Sequence, residues 1–137
     1  MPAADFTLAA LIHWGEAYGA RLEPPGIITL EGDLGAGKTT LVQAIARGYG
    51  VRDAVTSPTF ALVHVYKAPL SAVFHLDLYR LAGPHQLANI GWDDVISSKA
   101  IVLIEWPDRA GAELPATART IKLSRVHGKP DLRSVSW

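Results

Sequence analysis

Hydrophobic positions along the chain switch between near-helical spacing and unbroken apolar runs, the pattern of a fold in which helices and strands alternate. Over residues 7–18, Leu8, Leu11, Ile12 and Ala17 recur at helical spacing, and Asp5 or Thr7 can serve as N-cap. A first helix is predicted there, and Glu23-Pro24-Pro25-Gly26 ends the pattern. Ile27-Ile28-Thr29-Leu30 is a continuous run rich in β-branched residues, which predicts a strand buried on both faces. Residues 40–49 read as a helix carrying Leu41, Val42, Ile45 and Ala46, stopped near Gly48 and Gly50.

Further along, Pro58 disfavours helix at Ser57, so Thr56-Ser57-Pro58-Thr59 reads as a loop. Strand-like stretches at residues 60–66 and 71–77 flank the short Lys67-Ala68-Pro69-Leu70, which predicts an antiparallel hairpin. Residues 84–90 and 93–96 look like short helical pieces. Ala100-Ile101-Val102-Leu103-Ile104 is a second buried strand, ending at Glu105. Residues 119–137 alternate loosely and predict one or two strands around a Gly128-Lys129-Pro130 turn. The sum is an α/β chain with a mixed sheet.

Composition narrows the function classes. At 137 residues, 49% hydrophobic, the chain can bury one core and is short for two, so 1–137 reads as a single domain. Thirteen basic residues balance thirteen acidic ones, leaving no global field to attract a polyanion. The absence of cysteine removes thiolate metal sites and cysteine nucleophiles. No leader pattern and no apolar stretch of membrane-helix length is present, so a cytoplasmic location without membrane contact is expected.

The chemistry begins at Gly32-Asp33-Leu34-Gly35-Ala36-Gly37-Lys38-Thr39, which satisfies G-x-x-x-x-G-K-[ST] between a predicted strand and a predicted helix. Glycines let the backbone wrap an anion with its N–H groups inward. Lys38 supplies positive charge to the outer phosphates, Thr39 a hydroxyl for magnesium, and the helix start a partial positive charge. Asp33, Gly35, Ala36, Gly37, Lys38, Thr39 and Thr40 are therefore the expected nucleotide contacts. Hydrolysis needs more: a second acid beside the metal and a group that aims water. Glu105, at the end of a buried strand, suits the first role, against the alternative of a strand-end glutamate facing water. Asp77, within His75-Leu76-Asp77-Leu78-Tyr79-Arg80, suits the second, with turn formation as an equal alternative. Alternation puts His75 on the face of Asp77. Ser57 and Thr59 either sense the γ-phosphate or form an ordinary turn, and Trp106 either covers the nucleotide or packs on the core. The guanine-reading N-K-x-D is absent, which favours ATP. A kinase for a small acceptor and a nucleotide-gated binding module stay open, although no arginine-rich lid is visible.

Four stretches in this order and spacing resemble one family: Gly32 to Thr40, Thr56-Ser57-Pro58-Thr59-Phe60, His75-Leu76-Asp77-Leu78-Tyr79-Arg80-Leu81 and Ile104-Glu105-Trp106-Pro107-Asp108-Arg109. Together they are similar to the bacterial tRNA threonylcarbamoyladenosine biosynthesis ATPases called TsaE or YjeE. The resemblance implies a three-layer P-loop NTPase fold, ATP and Mg2+ as ligands, slow hydrolysis, and partner proteins of the TsaB and TsaD type through which tRNA is reached. It implies Thr39 and Glu105 as magnesium ligands and Asp77 as the catalytic acid–base residue in contact with the nucleotide, with a further nucleotide contact from Asp108, Gly128 or Lys129; Lys38 is expected to be catalytic beside Asp77. Two departures stand out. Relatives often begin with an extra strand where this chain is short, and Gln43 replaces a common arginine.

Overall fold

The computed structural model describes residues 2–55 and 62–137. Seven strands form one sheet in the order β1-β7-β6-β2-β5-β4-β3. They are β1 Ala3–Thr7, β2 Gly26–Glu31, β3 Val63–Tyr66, β4 Val73–Asp77, β5 Ile101–Glu105, β6 Arg119–Val126 and β7 Lys129–Ser136. The central pairings β6/β2, β2/β5 and β5/β4 are parallel, while β3/β4, β6/β7 and β7/β1 are antiparallel, so the sheet is mixed. Helices α1 (Leu8–Ala20) and α2 (Lys38–Tyr49) cover one face. The helix α3 (Trp92–Ser97) and two 3₁₀ segments, Pro84–Ile90 and Pro107–Glu113, cover the other.

The parallel centre explains its own sequence. β2 and β5 lie between helical layers, and every residue of β5 is buried, Glu105 included. Leu41 and Ile45 of α2 and Ile28 and Leu103 beneath them are among the fully buried side chains. Truncating any one to alanine costs about 2–5 kcal/mol of fold stability. Thr7 caps α1, its Oγ1 accepting from the Ala10 N–H at 3.2 Å, and Gly50 ends α2 with φ 112°. Gly48, expected near the stop, sits inside α2 instead. There it faces the Glu16 backbone of α1, and a Cβ would lie 2.7 Å from the Glu16 carbonyl carbon.

Three expectations are corrected. The chain does begin with a strand: residues 3–7 pair with β7 from Ala3↔Ser136 to Thr7↔Leu132. Lys129 and Pro130 belong to β7, because Gly128, with φ 73°, makes the reversal. The hairpin is present with Val63↔Leu76 register but is shorter than predicted, and its expected start at residues 60–61 lies outside the described residues, as do Ser57 and Thr59. At Gln43 the amide donates to the Val55 carbonyl at 2.8 Å, tying α2 to the segment after it.

Candidate functional site

The strand-to-helix turn after β2 builds the site's floor. Gly35 (φ 78°) and Gly37 (φ 104°) adopt left-handed backbone that a side chain would strain, which lets the loop curl over the start of α2. Gly37 occupies the N-cap of α2 without a capping side chain, and no acidic residue stands in the first turn. The positive end of the helix is thus left for an anion.

A cleft of about 800 Å³ opens here, at the carboxyl ends of β2, β4 and β5. Gly35, Gly37, Lys38, Thr39, Thr40, Asp77, Glu105 and Trp106 line one end. Lys38 is only 5% exposed; its Nζ donates to the Gly32 and Asp33 carbonyls and lies 4.1 Å from the Trp106 ring centre. Burial lowers its pKa, while Glu105, Asp77 and Asp33 pull the other way. Trp106 takes positive φ (58°) to turn out of β5, and its ring packs at 4.9 Å, tilted by 51°, against Tyr79.

Glu105 is 2% exposed, so the reading of a glutamate facing water is excluded. Parallel pairing sets it beside Asp77. Thr39 Oγ1 donates to Glu105 Oε1 at 3.3 Å, and His75 Nε2 lies 2.7 Å from Oε2. Two oxygen donors, a hydroxyl and a carboxylate, meet at the mouth of an anion cradle. That donor set fits magnesium, which takes one or two protein oxygens plus phosphates and water. Among the described residues no group of three or more His, Cys, Asp or Glu side chains makes a closed cage.

Asp77 forms the turn of one reading and stands at the cleft, where the other would need it. Its Oδ1 accepts from the Tyr79 N–H at 3.0 Å, forming a turn, and the residue lines the cleft. Burial raises its carboxyl above the ordinary range; the Tyr79 N–H opposes this, Glu105 adds to it, and His75 and Lys38 oppose it. Asp33 contributes its carbonyl. Ala36 is buried beneath the loop, and Asp108 is not brought to the cleft, its carboxylate standing 3.7 Å from Arg109 on the surface. Arg109 also donates to the Leu81 carbonyl at 3.1 Å, and Leu78 N–H donates to the Glu105 carbonyl. These bonds clip the Asp77 and Glu105 stretches together.

The cleft's other end was not anticipated from the sequence. Thr7, Leu8, Ala9 and Leu11, at the junction of β1 and α1, line it together with Pro130, Asp131 and Arg133 of the neighbouring β7. Arg133 reaches back to donate to the Gly35 carbonyl at 3.4 Å, and the Arg125 guanidinium lies against Gly35. Neither Gly128 nor Lys129 lines this cleft; both border a smaller hollow at the β6–β7 tip.

Residues 7–133 match the family model described as threonylcarbamoyl adenosine biosynthesis protein TsaE. The tRNA threonylcarbamoyladenosine biosynthesis protein TsaE of Treponema pallidum is 39% identical over 111 residues, covering 81% of this chain and 82% of that protein. Its namesake from Nostoc sp. is 41% identical over 101 residues, covering 72% of this chain and 62% of the relative. The crystal structure of Bacillus subtilis YdiB superposes with a TM-score of 0.76 at 26% identity, over 98% of this chain and 83% of that one. The α/β architecture is that of the P-loop NTPases. With the cradle, the acids at the ends of β4 and β5 and the match over nearly its whole length, the chain belongs to the TsaE family of tRNA threonylcarbamoyladenosine biosynthesis proteins.

Proposed function

We propose that this chain is a single-domain, cytoplasmic, magnesium-dependent ATPase that supports threonylcarbamoyladenosine formation on tRNA through partner proteins of the TsaB and TsaD type. The carrying observation is the convergence of an uncapped helix N-terminus, Lys38, Thr39, Glu105 and Asp77 on one cleft. In this reading the loop amides and the Lys38 ammonium hold the outer phosphates. The Thr39 hydroxyl and the Glu105 carboxylate hold magnesium, which when bound neutralises charge on the β- and γ-phosphates. Asp77 accepts a hydrogen bond from a water and aims it at the γ-phosphate, taking up its proton as the new P–O bond forms and the bond from the γ-phosphorus to the bridging oxygen breaks, releasing ADP and phosphate. The base and ribose occupy the opposite end, between Leu8 and Pro130.

Turnover by the isolated chain is slow. Intrinsic P-loop hydrolysis without a partner's arginine runs at roughly 10⁻² s⁻¹ or far below. The deciding experiment is tRNA modification with the partner proteins, with and without this chain and ATP, while following free phosphate. Modification that requires chain and ATP supports the reading. Fast hydrolysis by the isolated chain, or phosphate delivered to a small acceptor, contradicts it.

A further inference from the structure

The mechanism above leaves one buried polar group of the site without work. His75 is 0% exposed, its Nε2 lies 2.7 Å from Glu105 Oε2, and among the described residues its Nδ1 meets no hydrogen-bond partner. The register explains the meeting. In the parallel β4/β5 pair Asp77 stands beside Glu105 and His75 beside Leu103, so the imidazole lies one step behind the carboxylate on the same face. A leucine there would fill the space without stranding a ring nitrogen, which is costly in a buried position. What the imidazole supplies and a leucine does not is an N–H. A carboxylate only accepts, so in this bond it is Nε2 that carries the hydrogen and donates.

That bond constrains Glu105. Its carboxylate sits against Thr39 Oγ1, with Oε1 at 3.3 Å and Oε2 at 3.5 Å. Without a partner behind it, a glutamate with three rotatable bonds has several rotamers to choose from. We propose that His75 is a positioning residue: by donating from Nε2 to Glu105 Oε2 it holds the carboxylate in the rotamer that meets a divalent cation beside Thr39. This rests on the assignment of Thr39 and Glu105 as magnesium ligands. Outer-sphere hydrogen bonds to metal ligands are worth about 10–100-fold in metal affinity.

The geometry distinguishes the substitutions. Glutamine can place an amide N–H near the position of Nε2, asparagine near that of Nδ1, and leucine supplies none. The test titrates magnesium into the full chain and follows the affinity of a fluorescent ATP analogue, with a parallel titration in chelator. His75→Leu should require about 10–100-fold more magnesium for half-maximal enhancement of binding, with unchanged affinity in chelator. His75→Gln should recover most of the loss and His75→Asn should not. If His75→Leu fails to fold, the Gln and Asn variants, both polar and differing in where the N–H stands, carry the comparison. Equal magnesium requirements across the variants overturn the role of His75 while leaving the cation site intact. A wild-type affinity indifferent to magnesium removes the cation site itself, and this inference with it.

Discussion

Replacing Gly19 with alanine sets two effects of opposite sign against each other. Gly19 lies within α1, where exchange of glycine for alanine ordinarily gains about 1 kcal/mol from helix propensity and a stiffer unfolded chain. Against this, α1 and α2 cross at small residues. A Cβ on Gly19 would overlap the Ile45 carbonyl oxygen and stand 2.9 Å from the Ile45 carbonyl carbon and 3.0 Å from the Tyr49 nitrogen. These are backbone atoms of α2, which no rotamer change moves. The seam is already tight above, where a Cβ on Gly15 would stand 2.8 Å from Ala44 Cβ and 2.8 Å from Leu41 Cδ1. Overpacking costs about 1–3 kcal/mol, and an obstruction by backbone lies at the upper end or beyond. The steric term wins, and a net loss of about 2 kcal/mol is expected. Urea unfolding should show a lower midpoint at unchanged slope, and the melting temperature should fall by about 6–10 °C. Ala17→Gly in the same helix, with no such seam, should lose only about 1 kcal/mol. Because Thr7, Leu8 and Ala9 begin the displaced helix, nucleotide affinity should drop with Gly19→Ala as well. A midpoint equal to or above wild type would show that α1 slides freely on α2 and would refute the close-contact reasoning.

Other expectations concern the cleft. Asp77→Asn should abolish hydrolysis while keeping nucleotide binding; normal turnover in that variant removes the water-aiming role. The same change tests the electrostatics. Because burial holds the Asp77 carboxyl above its ordinary 3.8 in the fold, the folded protein binds that proton more tightly than the unfolded chain. Ionised Asp77 therefore costs stability at neutral pH, and the cost fades as pH falls through the raised value. Thermal melts in chelator should find Asp77→Asn more stable than wild type at pH 7, with the gap closing on acidification; a gap that widens reverses the sign. Lys38→Met should weaken nucleotide binding by about 10–100-fold, the worth of a charge-assisted hydrogen bond, without lowering the melting temperature, since the methionine needs no desolvated charge. Nucleotide that draws Lys38 off the Trp106 ring should change tryptophan emission, and Trp106→Phe should remove that change.

The parts legible in the sequence are those whose cause is local. The Gly32–Thr39 turn carries its own geometry in its glycines, and β2 and β5 announce burial on both faces through runs such as Ile101-Val102-Leu103-Ile104. Glu105 stood out because a carboxylate ends one of those runs. β1 was not legible: Ala3-Ala4-Asp5-Phe6-Thr7 has little strand character of its own and exposes alternate residues, and only pairing with β7 makes it a strand. The far end of the cleft was hidden for the same reason, since Leu8 and Pro130 are brought together by that pairing. Pro130 argued for a turn, yet it is tolerated in β7 because the β1 pairing stops at Leu132, leaving the Pro130 position locally at an edge. In α1 the sequence shows Gly15 and Gly19 only as weak helix formers. Their use as contact points depends on α2 and is invisible in α1 alone.

The pairing of β1 with β7 also fixes an order of assembly. Residues 3–7 leave the ribosome well before residues 132–136, so β1 has no strand to join until β7 has been made. Thr7, which ends β1, caps α1 and borders the cleft, is then anchored from one side only. The phosphate loop can form early, from contiguous chain, but the wall opposite it waits for the last strand. Loss of that strand to a protease would release β1 as well, so that a single cut near the end of the chain would open the cleft on the side of both.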